Sequence, residues 1–395
     1  MSTSLNKIYS ALFFILCLSL PFIDGRFFAV PNGINILLVL LFPFVIEKKE
    51  LLKNLEKKSF VFFTCFTLFV LIKSICAGEF TEDISIIKKF FQALMLIILS
   101  FGLKNSELYY IKSGIIVGTF FAITYSTTNL LFLLQETATF NFSKGLIINE
   151  TLSTQRLFIG LLCCISLILV LEKFFQDRKK TNLFLAILFA SFVFLISARI
   201  AIISTIITLV FYIQFKANKK YKLIFVLSIF LFSGLVIISN PNLSSRLFHS
   251  EDKTERTYLE KIKTHEPRYI IWKESLFLLD QGNIMLGNGF ENTQSNLLKK
   301  YEKIFPLKRR NWFIEKEFNT HNQFFDILLS QGVVGLLIFL LFFYFVYKES
   351  KISNPSLLLF ITLILFLLIY NIFHRVIGVF IFAIIYRIIV SDKKN

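Results

Sequence analysis

The chain has 395 residues, 55% of them hydrophobic and 50 of them phenylalanine, with a mean hydropathy of +0.68. No single soluble core buries that much apolar surface, so lipid is its solvent. Lys plus Arg at 43 against Asp plus Glu at 26 give a net charge of +17; many of these cations sit in short clusters between apolar runs, which makes them a topology signal and argues against nucleic acid as a partner.

A bilayer crossing needs roughly 17–25 mostly apolar residues. By that measure the chain offers about twelve spans, at 8–23, 33–46, 60–76, 88–103, 109–134, 156–171, 183–196, 200–215, 221–239, 322–347, 355–370 and 376–390. The expected fold class is therefore all-α, a polytopic membrane protein. The first run lacks a small-x-small cleavage site and reads as an anchor rather than a signal peptide. Residues 47–58 carry five lysines, 216–222 carry four, 172–180 end Asp-Arg-Lys-Lys, and Lys348, Lys351, Lys393 and Lys394 follow later spans. Those clusters face the cytoplasm by the positive-inside rule. An even span number puts both termini there as well and leaves 24–32, 77–87, 135–155, 197–199, 240–321 and 371–375 outside. The expected organisation is a bundle over 1–239, one long periplasmic loop over 240–321 and a C-terminal group of spans over 322–395.

The five cysteines, Cys17, Cys65, Cys76, Cys163 and Cys164, lie in or beside apolar runs. Without C-x-x-C spacing they predict neither a disulfide nor a metal site.

Leu183 to Phe215 is apolar except at Ser197-Ala198-Arg199 and has basic clusters at both ends. One helix of that length would run about 50 Å, too long for one crossing. The stretch therefore predicts two helices turning at the outer face, with Arg199 at the membrane boundary. An arginine held in lipid costs roughly 2.5–3.5 kcal/mol at the bilayer centre and less at its edge, and such residues tend to be functional.

In the loop, Pro267-Arg268 opens a predicted helix that places Arg268, Trp272 and Ser275 on one side. Gly287-Asn288-Gly289 breaks the pattern and a second helix follows around 291–303. The segment is expected to cap the spans, with Trp272, Phe290, Trp312 and Phe313 at the interface, and Lys308-Arg309-Arg310 is expected to meet anionic lipid or glycan. Gly332 and Gly335 read as a packing face.

His321 falls between Thr320 and Asn322 at the start of an apolar run, an expected first-turn position. An imidazole can take a proton from a hydroxyl at physiological pH, and a helix N-terminus favours anions. Arg199 and Arg268 add planar, permanently charged forks that suit phosphate oxygens. There is no D-x-D, no His/Cys/Asp cluster with ligand spacing and no G-x-x-x-x-G-K-[ST]. A metal-held nucleotide sugar and direct use of ATP are therefore not expected, and energy would arrive with the substrate. No cofactor is called for. Arg26, Lys144, Arg246 and His374 read as headgroup-facing charges, while Arg156, Asn322 and Arg375 are candidates for lining the site.

The motifs Ser197-Ala198-Arg199, Pro267-Arg268-Tyr269-Ile270-Ile271-Trp272, Leu286-Gly287-Asn288-Gly289-Phe290, Thr320-His321-Asn322-Gln323-Phe324-Phe325 and Gln331-Gly332-Val333-Val334-Gly335 occur in this order. Their order and membrane placement resemble the O-antigen ligase and O-antigen polymerase superfamily of bacterial envelope glycosyltransferases, with the family-like core over 183–347. The resemblance implies metal-independent, inverting transfer of a glycan from undecaprenyl pyrophosphate at the periplasmic face of the inner membrane. The acceptor it implies is the lipid A core for a ligase, toward which the late long loop leans, or a second lipid-linked glycan for a polymerase. His321 would act as base, and Arg199 and Arg268 would hold the pyrophosphate. Gln331 stands where relatives often carry an acidic residue and is given no role. A transporter or flippase of lipid-linked sugars would explain the spans equally well, although no pair of related halves is evident.

Overall fold

The computed structural model describes residues 2–23, 29–137, 150–216, 227, 230–231, 233–236, 238, 257–280, 282–351 and 353–391. Regular structure among the described residues is entirely helical. The first nine helices are α1 (Ser2–Ser19), α2 (Ala29–Val45), α3 (Lys48–Leu55), α4 (Lys58–Cys76), α5 (Phe80–Ser100), α6 (Leu108–Thr137), α7 (Arg156–Asp177), α8 (Lys180–Leu195) and α9 (Arg199–Lys216). Four short helices follow, α10 (Tyr258–His265), α11 (Pro267–Leu279), α12 (Phe290–Tyr301) and α13 (Leu307–Glu315). The chain then forms α14 (Gln323–Ser350), α15 (Asn354–Leu367) and α16 (Val376–Ser391).

Each predicted span except 221–239, most of which lies outside the described residues with Arg26, Lys144 and Arg246, coincides with one of these helices. By length and apolarity alone, 6 of the described helices could cross a membrane, or 7 if the bent pair α2 and α3 is one span. Helices α8, α15 and α16 are apolar but shorter. Helix α5 carries Glu82, Asp83, Lys88 and Lys89, which separate it from the others by composition. The lysine-rich stretch read as a plain connection holds α3, a short helix turned 115° from α2. The lysines hid that helix.

Helices α7 and α16 are the buried centre: Phe158 to Leu171 and Ile377 to Ser391 are buried on every face. Helices hydrophobic all round belong inside a bundle. Around them α6, α8, α9 and α15 pack on α7, α5, α14 and α15 pack on α16, and α14 lies along α4. The phenylalanines interlock at ring-centroid separations of 4.6 Å for Phe90–Phe373, 4.8 Å for Phe66–Phe339 and 4.7 Å for Phe373–Phe382. Such offset and edge-on pairs add stabilisation beyond the area they bury. This aromatic block fixes the turn Ile372–His374, which stands at the end of the bundle where the candidate site lies.

Helix α14 is not continuous. Gly332 sits at φ 67°, ψ −171° inside it, and the backbone groups freed by that break are taken by the segment after α11. The Asn288 and Gly289 amides donate to the Leu329 and Ser330 carbonyls (both 2.9 Å), and the Val333 and Val334 amides donate to the Ile284 and Met285 carbonyls (2.9 and 3.2 Å). Backbone polar groups at membrane depth need such internal partners. A Cβ on Gly332 would collide with the Met285 carbonyl, and one on Gly287 with the Ser330 and Gln331 backbone. Gly332 is therefore the seat of a hydrogen-bonded joint rather than part of a packing face, whereas Gly335 does meet Phe69 of α4. Gly332→Ala should lower the melting temperature of the detergent-solubilised protein by several degrees, because a left-handed position with no room for Cβ penalises alanine. Gly33→Ala, where nothing lies within 4 Å of the added carbon, should leave it unchanged or raised.

The same joint is pinned from the other side. Asp83 of α5 accepts from the Glu291 amide in the first turn of α12 (2.9 Å), and Asn292 Nδ2 donates to Glu79 (3.0 Å), which is itself paired with Lys73 (2.7 Å). Helices α11 to α13 share a small core of Ile271, Leu278, Leu297, Tyr301 and Phe313, closed by Leu329 of α14. The segment thus has apolar packing of its own, which its weak periodicity concealed because each short helix gives only one or two residues. Phe313 is buried there, Phe290 is buried in the main bundle core against Phe90, and Trp312 is exposed.

Candidate functional site

The hairpin expected at Ser197-Ala198-Arg199 is present: α8 ends at Leu195, Ser197 takes a left-handed φ of 53°, and Arg199 is the first residue of α9. Pro267 opens α11, as its locked φ and missing N–H favour, and Arg268 follows it in the first turn. These positions are 69 residues apart in sequence numbering, from 199 to 268, yet both side chains reach one carboxylate. Arg199 Nη1 and Nη2 donate to Glu266 Oε2 and Oε1 at 2.8 and 3.1 Å, a two-pronged fork. Arg268 Nη1 donates to Glu266 Oε1 at 3.3 Å, and its Nε to the Ile369 carbonyl at 3.4 Å. Glu266 is 16% exposed at its side chain, with the arginines at 29% and 27%. The cluster is partly shielded from water, which strengthens it relative to surface pairs.

His321 does not lie in the first turn of α14, as the apolar run suggested. It precedes the N-cap residue, Asn322, whose side chain accepts from the Phe324 and Phe325 amides at 2.9 and 3.1 Å. Asparagine is among the best N-caps, so the signal for this later boundary is in the sequence. Asn322 is thereby committed to capping. His321 itself holds a φ of 45°, a conformation uncommon outside glycine, and its amide donates to Asn319 Oδ1 at 3.1 Å. Residues held this way persist only where the surroundings impose it. Here Trp272 Nε1, one turn along α11 from Arg268, donates to the Thr320 carbonyl at 3.1 Å, and the buried Thr320 hydroxyl meets Asn371 Nδ2 at 2.8 Å.

The imidazole lies between the rings of Phe318 and Tyr370, with centroids at 5.5 and 5.7 Å. Its Nδ1 is buried with no hydrogen-bond partner among the described residues. Burial, then the nearby Arg268 and His374, push its pKa down to about 3, because each disfavours a cation there. Arg268 is thus close enough to His321 for its charge to act on the ring, and the hairpin arginine joins them through Glu266.

Arg156 is the first residue of α7 and half-buried. It follows Gln155, which accepts from the Tyr370 hydroxyl at 3.0 Å, so the start of α7, through Gln155, reaches Tyr370 beside His321. Arg375 is exposed. No contact joins it to Arg199, Arg268 or His321 among the described residues; its neighbour His374 faces inward instead, with Nε2 2.8 Å from Asp326 Oδ2. In the tract 308–310, Arg309 is folded onto the Thr264 carbonyl at the end of α10. Sequence reasoning missed Glu266, Tyr370 and the Asp326–His374 pair, none of which belongs to a local pattern.

Chemically, the arrangement offers two guanidinium groups focused on one point, a neutral imidazole beside them and a helix N-terminus at Pro267. No group of His, Cys, Asp and Glu that could hold a metal ion occurs among the described residues. A search of curated proteins finds no match to the chain. Residues 184–340, the stretch that contains Arg199, Arg268 and His321, match the family described as O-antigen ligase, and the chain accordingly carries a domain of the O-antigen ligase and polymerase superfamily.

Proposed function

We propose that this protein transfers a glycan from an undecaprenyl pyrophosphate carrier to an acceptor sugar hydroxyl at the periplasmic face of the bacterial inner membrane, and that it is an O-antigen ligase with the lipid A core as acceptor. The observation that carries this reading is the meeting of Arg199 and Arg268 on one carboxylate, beside His321. Guanidinium forks that grip a carboxylate grip phosphate oxygens by the same geometry. The expected topology of about twelve crossings with both termini inside would put these residues at the outer membrane boundary, where a lipid diphosphate presents its headgroup.

In the proposed step the acceptor oxygen attacks the anomeric carbon, its proton passes to His321, and the carbon–oxygen bond to the diphosphate breaks with inversion. The bonding electrons leave with the diphosphate, whose charge Arg199 and Arg268 stabilise. Because that leaving group is already stable, the chemistry does not call for a metal. A donor diphosphate next to His321 would favour the imidazolium and so raise the proton affinity that burial and Arg268 hold down.

The surface glycan of a deletion strain tests the assignment. The ligase reading predicts a lipid A core without polymer while lipid-linked polymer accumulates. A core bearing a single repeat would make the protein a polymerase instead, and lipid-linked glycan trapped on the cytoplasmic side would make it a flippase.

A further inference from the structure

Glu266 stands between α10 and α11 in an extended conformation, φ −87° and ψ 111°, at the N-cap position of α11. A side chain there normally accepts from the first-turn amides. Glu266 makes no such cap. It reaches instead across to Arg199 and Arg268, so that both of its oxygens take guanidinium donors. One carboxylate therefore answers two fixed cations and lies beside the positive end of a 13-residue helix.

Building on the diphosphate-site reading above, we propose that Glu266 is a tethered competing anion: it occupies the place of the diphosphate between turnovers and sets how readily the lipid diphosphate product leaves. Donor and product carry the same two phosphates. A pair of arginines with no competitor would hold both tightly and slow release, and a step such as product departure limits turnover in many enzymes. A carboxylate on the chain itself lowers affinity for donor and product alike, which raises KM but frees the site after each transfer. The exchange needs only side-chain rotation about a residue whose backbone already sits at a joint between two helices. Its negative charge, and not its shape, is the operative property.

The discriminating variant is Glu266→Gln, which keeps the length and one acceptor oxygen but removes the charge. Binding of inorganic pyrophosphate to the purified full-length protein in detergent, measured by calorimetry for wild type, Glu266→Gln, Arg199→Ala and Arg268→Ala, supplies the test. The proposal expects pyrophosphate to bind Glu266→Gln at least tenfold more tightly than wild type, with a lower KM for lipid-linked donor and stronger inhibition by polyprenyl pyrophosphate. If Glu266 merely orients the arginines, the substitution will weaken binding instead. Pyrophosphate bound by wild type, lost in the arginine variants and unchanged or weakened in Glu266→Gln overturns the role of Glu266 and leaves the diphosphate site standing. Pyrophosphate bound by neither wild type nor Glu266→Gln, both folded, overturns the site and the role together.

Discussion

Exchanging Arg268 for lysine is expected to lower glycan transfer on the order of 10²-fold, comparable to removing one preorganised donor from a developing charge. The charge would survive the exchange; the geometry would not. Arg268 spends its Nε on the Ile369 carbonyl and aims Nη1 at the cluster point shared with Arg199. Lysine has one ammonium on a flexible stem and cannot satisfy both directions at once. Arg199→Lys should behave alike, since Arg199 forks two nitrogens onto one carboxylate. In both variants KM for the donor should rise as kcat falls, because the diphosphate is held in the ground state and gains charge in the transition state. A melting temperature near that of wild type will separate this loss from misfolding.

Replacing His321 by alanine is expected to be more damaging still, by roughly 10²–10⁴-fold, the usual contribution of a positioned acid or base. The pH profile adds a second readout. A base acts unprotonated, and the free imidazole is held at about 3. The acid limb of kcat/KM should therefore lie well below the ordinary histidine range near 6.5, with activity retained as pH falls through 6. With donor bound, the diphosphate favours the protonated ring, so the acid limb of kcat should lie higher than that of kcat/KM. His321→Ala should abolish both limbs along with the activity. Were the Asp326-paired His374 the base instead, His374→Ala would show the large loss and His321→Ala a small one.

The helices and the hairpin could be read from the sequence because their causes are local. Apolar length between basic clusters marks a crossing, Ser197-Ala198-Arg199 interrupts a stretch too long for one crossing, and Pro267 suits only a helix start or a turn. What could not be read depends on partners far along the chain. The break in α14 looks like a continuous apolar helix with two glycines until the amides of Asn288 and Gly289 are seen on the Leu329 and Ser330 carbonyls. Glu266 reads as an ordinary loop acid until Arg199 arrives from 67 positions upstream. The lysines of α3 suggest a loop because charge masks its helical spacing, and a first-turn position for His321 overlooks Asn322 as the better N-cap.

The site residues divide in the same way. Arg199, Arg268 and His321 were singled out by residue type and by placement at the ends of apolar runs, and the fold brings Arg199 to Arg268 and sets Arg268 within electrostatic reach of His321. Arg375 was chosen on the same grounds and points elsewhere, because its neighbour His374 takes the inward position with Asp326. Placement at a span end brings a side chain to the right level. The rotation about the helix axis decides whether it reaches the site.

The proposed division of labour gives the diphosphate to the arginines and the acceptor proton to His321. Donor binding and transfer measured side by side, on wild type, His321→Ala and Arg268→Lys reconstituted in liposomes with lipid-linked glycan and acceptor, test it directly. His321→Ala is expected to bind the donor about as well as wild type and to transfer almost nothing, while Arg268→Lys is impaired in both. Transfer by His321→Ala at the wild-type rate would contradict it.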